Sequence, residues 1–227
     1  MKNDKCKSNE NCKLINEKLC SSDSQINRYK LYLSLTMAAS KEIIITLPNP
    51  RLHAKSRRVA IITDEVRKII EDMKSATLDW EKNRPHEVGV ALAAIQIDQP
   101  LKIIIVRNNF DDRQDETFSV FINPKIMKYE GELEEDFEGC LSVLDVYGKV
   151  PRWTKVRVRA LNEQGREIRV KADGFLARVL QHEVDHINGL VFVDHIKGQP
   201  EAFYHLTPDG KLDKSDYEQI KKTGIFR

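Results

Sequence analysis

Gln181-His182-Glu183-Val184-Asp185-His186 is the stretch from which the rest of the chain is best read. It contains the spacing H-E-x-x-H. Residues four apart share one helix face, so His182 and His186 can direct two imidazoles at one metal ion. Glu183 stands beside the first of them, where its carboxylate can take a proton from a metal-bound water. Five residues of this kind also occur on solvated helices, so the context decides. Phe175, Leu176, Val179, Leu180 and Val184 recur at helical spacing. Asp173-Gly174 offers an N-cap and Asn188-Gly189 a stop, which predicts a helix of about four turns with its ligands facing inward. The pattern points to a metal-dependent hydrolase that still needs a third ligand, a groove and an oxyanion donor.

Two strand patterns precede this helix directly. Val156 to Ala160 alternates cleanly, Asn162 to Gly165 turns, and Ile168-Arg169-Val170 returns, which is a hairpin with one wet face. Upstream, Thr63 caps a helix carrying Val66, Ile69, Ile70, Met73 and Trp80, followed by a polar loop over 81–88. Leu101–Val106 and Val120–Ile122 read as strands, and Ile43–Leu47 as a short one. Strands gathered around one helix predict an α+β domain, with antiparallel strands packed around a central helix that binds the metal.

The chain has 227 residues, with Lys plus Arg at 37 against Asp plus Glu at 35. A formal charge of +2 gives no reason to expect general nucleic-acid or specific DNA binding. No apolar run approaches the roughly 20 residues of a membrane span. Cys6, Cys12 and Cys20 crowd the first twenty residues at spacings that match no zinc pattern, and are read as free thiols. With one further Cys and no signal peptide, a disulfide framework is not expected. Residues 1–38 are polar and unpatterned, and are read as a disordered N-terminal extension. The other readings are a start at Met37 or a targeting segment, the last disfavoured by Asp4, Glu10, Glu17 and Asp23. Residues 39–196 form the expected catalytic domain, and 197–227 a polar, solvated C-terminal tail.

For the third ligand, His195 and His205 have no recognised spacing, and Phe192 stands where a metzincin would place its third His. Cys140, in Glu138-Gly139-Cys140-Leu141-Ser142, is the better candidate, because a thiolate with two imidazoles leaves one position open for water. The glycine before it suggests an irregular turn. Gly89-Val90-Ala91-Leu92-Ala93-Ala94-Ile95-Gln96 is a run of small residues ending in an amide able to donate to an oxyanion.

Together the three segments resemble the peptide deformylase family, which carries G-x-G-x-A-A-x-Q, E-G-C-x-S and Q-H-E-x-D-H in that order. The second and third motifs match at every fixed position, and the likeness runs from about Met37 to about Ile196. The resemblance implies a hydrolase that removes the N-formyl group from the initiator methionine of nascent bacterial or organellar polypeptides, releasing formate. It implies Cys140, His182 and His186 as metal ligands, with Glu183 as base and then acid. The Gln96 amide and the Leu141 backbone N–H would hold the oxyanion. It implies Fe²⁺ in the cell, with Zn²⁺, Ni²⁺ or Co²⁺ in isolated protein, and a bacterial cytoplasmic setting. In some relatives a C-terminal helix makes a transient contact with the ribosome. Gly89, Val90, Ala91, Leu141 and Val179 are the expected substrate-binding residues, with the methionine side chain near Val90, Leu141 and Val179. Glu138 and Arg152 are expected to pair behind Cys140.

The departures from the family's pattern are Ala91 where the second glycine is usual, Leu144 where proline is common, Tyr147 in a region where many relatives have Arg, and a loop before Gly89 a few residues longer than in compact members. They concern the pocket and leave the ligands and base alone. Alternative readings are a relative with altered substrate or binding only, an unrelated zinc endopeptidase using His195, and a structural zinc site.

Overall fold

The computed structural model describes residues 39–82 and 84–226; the extension over 1–38 and the Met37 start lie outside them. The first helix, α1 (Asp64–Glu81), starts at Thr63, whose hydroxyl accepts from the Val66 N–H at 3.4 Å. Val66, Ile69, Ile70, Met73, Ala76 and Trp80 are its buried face, in the i, i+3, i+4 pattern that one helix stripe imposes.

Seven antiparallel strands form one sheet: β1 (Ala91–Ala93), β2 (Ile103–Arg107), β3 (Phe118–Cys140), β4 (Val143–Leu161), β5 (Glu167–Asp173), β6 (Phe203–Leu206) and β7 (Leu212–Lys214). The order is β1-β2-β3-β4-β6-β7, with β5 on β4. Strand β2 is buried on both faces, and so reads as a continuous apolar run. Ile103 and Ile105 join α1 and Leu92 in one core. Ile104 and Val106 join Ala91 and Ala93 in a second core, under the helix α2 (Gly174–Ile187). The expected hairpin is β4–β5, in register from Leu161↔Glu167 to Lys155↔Asp173. Its wet face carries Arg157, Arg159, Arg169 and Lys171, all exposed.

Three expectations are corrected. Ile43–Leu47 is not a strand. Lys41–Ile43 is a 3-10 turn, and the following backbone lashes irregular segments together: the Ile45 N–H donates to Gln96 O (2.8 Å) and the Leu47 N–H to Ser142 O (2.9 Å). Val120–Ile122 is only the start of β3, which pairs with β4 as far as Cys140↔Val143. Four register shifts let this ribbon bend. The third correction is the C-terminal segment, which is no solvated tail. After α3 (Phe192–Ile196), β6 pairs with β4 at Tyr147↔Tyr204 and Gly148↔Phe203. Phe203, Ile220 of α4 (Tyr217–Lys222) and Ile225 close a third core with Leu52, Val143, Val150 and Phe192. A few apolar residues at the right depth outweigh a polar average composition. A boundary at 196/197 therefore has no counterpart in the packing.

Candidate active site and metal centre

The β3–β4 turn sets Cys140 at the end of a strand, with Leu141 and Ser142 as the two turn residues. Gly139, just before it, lies within the strand rather than in an open turn. A methyl group there would stand 2.5 Å from the Tyr147 ring, so glycine is required by that close approach. Helix α2 brings His182 and His186 to the sulfur from the other side. The Cys140 Sγ lies 3.2 Å from His186 Nε2, which lies 3.2 Å from His182 Nε2. All three donor atoms fall within 4.8 Å of one another. Ligands on a tetrahedral ion at ordinary bond lengths of about 2.0–2.3 Å stand about 3.3–3.6 Å apart, so the trio fits one cation.

The surroundings fit it too. His182 Nδ1 sits 2.9 Å from Glu138 Oε2. A carboxylate can only accept, so this nitrogen carries the proton and Nε2 is left bare toward the sulfur. Burial disfavours charge on His182, yet the Cys140 sulfur and Glu138 raise its pKa well above the ordinary imidazole value. The field at this ring therefore favours positive charge. Burial acts with His182 to hold His186 well below the usual range, as a neutral ligand requires.

Glu138 is the hub behind the ligands. Its Oε1 accepts from Arg152 Nε (2.8 Å) and Arg178 Nη1 (3.0 Å), and its Oε2 from Arg152 Nη2 (3.0 Å) as well as His182. Burial opposes its ionisation, but the bonds from His182 and Arg152 hold it far below the usual carboxylate range. The expected Glu138–Arg152 pair is present. Arg152 Nη1 also donates to Asp185 Oδ2 (2.5 Å), and His195 Nε2 lies 2.7 Å from the same oxygen. His195 thus serves Asp185 and stands outside the ligand trio. His205 is on β6, near Ser215.

Gln96 follows β1 in a 3-10 turn over Ala94–Ile97. Its Oε1 accepts from the Ala93 N–H at 2.8 Å, which fixes the amide orientation. The Nε2 is thereby turned inward, 3.1 Å from Ser142 Oγ and 3.4 Å from Cys140 Sγ. Glu183 is 3 % exposed, and its Oε2 has no hydrogen-bond partner among the described residues. Burial pushes its carboxyl up to about 7, with His182 pulling down and Glu138 pushing up.

These groups open into a cleft of about 310 Å³ lined by Val90, Ala91, Gln96, Cys140, Leu141, Val179, His182 and Glu183, among others. Gly89 is not in its wall. It packs on α1, where an added methyl would meet the Thr77 carbonyl oxygen at 2.8 Å, and its N–H donates to Glu81 Oε2 (2.9 Å). Ala91 has strand backbone without positive φ, so its methyl group imposes no strain.

A family model described as polypeptide deformylase matches residues 41–201. The chain belongs to the peptide deformylase family. It is 40 % identical over 153 residues to peptide deformylase 1 of Ralstonia nicotianae, covering 67 % of this chain and 85 % of that one. It is 41 % identical over 164 residues to the peptide deformylase of Thermomicrobium roseum, covering 71 % and 89 %. The crystal structure of the Synechococcus elongatus peptide deformylase in complex with actinonin is similar, with a TM-score of 0.61 and 38 % identity over 67 % of this chain and 78 % of that one. The Legionella pneumophila peptide deformylase gives a TM-score of 0.62 and 29 % identity over 82 % and 96 %. The enzyme is a hydrolase that removes the N-formyl group of nascent peptides.

Several residues around this deformylase cleft are not among the expected site residues. Arg178 reaches Glu138, the carbonyl of Val150 (2.7 Å) and that of Glu134 (2.7 Å). The Tyr147 hydroxyl donates to Glu87 Oε1 (2.5 Å), and Arg84 Nη1 donates to Glu87 Oε2 (2.7 Å). Burial and the Glu87 carboxylate push the Tyr147 phenol far above its ordinary range, so it stays a donor. Trp80, Phe137, Phe175 and Leu212 complete the apolar wall.

Proposed function

We propose that the enzyme hydrolyses N-formylmethionyl peptides at a single divalent cation held by Cys140, His182 and His186, with α2 as the central metal-binding helix. One observation carries this: a sulfur and two imidazole nitrogens converge beside an orphaned buried carboxylate and an inward-turned amide. The bound ion supplies Lewis acidity and makes a nucleophile available from water at neutral pH. Membership of the family supports Fe²⁺ in the cell, and the donor set of one thiolate and two imidazoles equally admits Zn²⁺, Ni²⁺ or Co²⁺.

The protein's own groups do the rest. Glu183 Oε2, free of other partners, takes a proton from the attacking water and returns it to the leaving amine. The Gln96 Nε2 donates to the oxygen on which negative charge develops, joined by the Leu141 backbone N–H. The Ala93 N–H holds Gln96 in this orientation in advance, so no reorganisation is needed. Val90, Leu141 and Val179 receive the methionine side chain. Leu141 lines the cleft beside Cys140, and a formyl group is small enough to enter where a bulkier acyl group would not.

The bacterial origin of the relatives above supports a bacterial cytoplasmic setting. A transient ribosome contact belongs to the same proposal. Ile220 of α4 packs inward while Lys221 and Lys222 stay exposed. The deciding experiment is formate release from formyl-Met-Ala peptides by protein loaded with Fe²⁺ under anaerobic conditions. Metal-dependent formate release is expected; metal-loaded protein that releases none overturns the proposal.

A further inference from the structure

The cleft has an end that the reacting groups do not use. Its α2 side, with Val179 and Phe175, adjoins the proposed methionine site. The cleft is also lined by Trp80, His86, Glu87, Phe137, Tyr147 and Leu212, of which Tyr147 bonds Glu87 and Phe137 packs on Tyr204 of β6. Leu212 is the unusual member, because it lies on β7, beyond the segment 41–201 shared with the family.

Both parts of this outer wall are tied down. β6 docks on β4 at Tyr147↔Tyr204, and Phe137 meets the Tyr204 ring edge-on with centroids 4.8 Å apart. β7 returns in register at Leu206↔Leu212, closed by the Thr207 N–H to Lys211 O (2.8 Å) and the Gly210 N–H to Thr207 O (2.9 Å). The facing loop, 84–88, is gripped by Arg113, whose guanidinium donates to the carbonyls of Arg84 (3.1 Å), Pro85 (3.0 Å) and Glu87 (3.0 Å). The two parts meet at Gly210. It has φ +81°, and an added methyl there would stand 2.8 Å from His86 Nδ1. The Glu87 carboxylate is already satisfied by Tyr147 and Arg84, so the surface offered to a ligand is chiefly apolar.

We propose that the β6–β7 hairpin and the 84–88 loop form a fixed outer wall of the substrate cleft, and that Leu212 selects apolar side chains in the peptide segment following formylmethionine. The inference rests on the function proposed above, since it takes the cleft to be the formyl-peptide site. Methionine occupies the α2 side, so the chain that continues from it leaves toward Leu212. A half-buried leucine at that exit rewards an apolar neighbour and gives a charged one no partner.

The test uses full-length, Fe²⁺-loaded enzyme and formyl-Met peptides whose next two residues are Ala, Leu, Glu or Lys. Leu212→Ala is expected to lower the preference for Leu-containing over Ala-containing peptides about 10-fold in kcat/KM, the low end of what a lost apolar contact gives. Formyl-Met-Ala is the reference peptide against which each change in selectivity is read. Leu212→Asp should shift preference toward Lys-containing peptides and Leu212→Lys toward Glu-containing ones. General damage to the fold would lower all peptides alike. Unaltered selectivity in all three variants overturns this inference while the proposed function stands. Unmodified enzyme that fails on every peptide overturns the proposed function, and this inference with it.

Discussion

Replacing Glu138 tests how far the site depends on what lies behind its ligands. The carboxylate accepts four hydrogen bonds, two on each oxygen, from Arg152, Arg178 and His182. Glu138→Gln keeps the shape but offers one acceptor oxygen, and its amide nitrogen must then confront a donor. Removing one partner from a buried ion pair typically destabilises by about 3–5 kcal/mol. Here the lower end applies. Arg152 keeps Asp185 at 2.5 Å, and Arg178 keeps the carbonyls of Val150 and Glu134, both at 2.7 Å. About 3 kcal/mol is a large share of a typical domain stability of about 5–15 kcal/mol. For a domain of this size it should lower the Tm by about 6–12 °C.

The same change frees the His182 ring. Without a carboxylate to hold the Nδ1 proton, the bare Nε2 is no longer fixed toward Cys140. Loss of such support typically weakens metal binding about 10–100-fold. The two effects are read separately, by urea or thermal unfolding of chelated protein and by metal titration against a competing chelator. A Glu138→Gln protein that melts with the parent when metal-free would show that the carboxylate is not the structural hub. One that binds metal as tightly would show that it does not orient His182.

Glu183→Gln should retain metal stoichiometry and lose about 10²–10⁴-fold in kcat, because the proton carrier is gone while the ligands remain; near-normal turnover would remove Glu183 from the role of base. Gln96→Ala should lower kcat about 10²–10³-fold, and a loss confined to KM would contradict its assignment as oxyanion donor. Ala91→Gly should leave kcat/KM nearly unchanged and destabilise by up to about 1 kcal/mol, since the position is strand backbone with a buried methyl. A large gain in activity would mean that the methyl obstructs substrate. Phe203→Ala should destabilise by about 3–5 kcal/mol in denaturant titrations, as a fully buried aromatic of the third core; an unaffected midpoint would restore the solvated-tail reading.

What the sequence made legible follows from the range over which each contact acts. Helix α1, strand β2 and the β4–β5 hairpin announce themselves because burial of one face imposes a local period. His182, Glu183 and His186 announce themselves because one turn of helix places them together. Most of β3 is hidden, since from Lys125 to Glu135 the strand is paired on one side only, nearly every residue faces water and no alternation survives. The C-terminal segment is hidden for the opposite reason, with Phe203, Ile220 and Ile225 each anchoring a separate short element. The glycines are the instructive case. Gly89 and Gly139 stand out in the sequence and invite readings as room for substrate and as an irregular turn. Each instead makes room for the protein itself, Gly89 for the backbone of α1 and Gly139 for the Tyr147 ring. That ring carries the hydroxyl that fixes Glu87, sixty residues away in the chain. The departures at Tyr147 and in the loop before Gly89 are therefore one coupled feature. Tyr147 and the 84–88 loop meet at Glu87, so Tyr147→Arg would set a second guanidinium beside Arg84 over the same carboxylate.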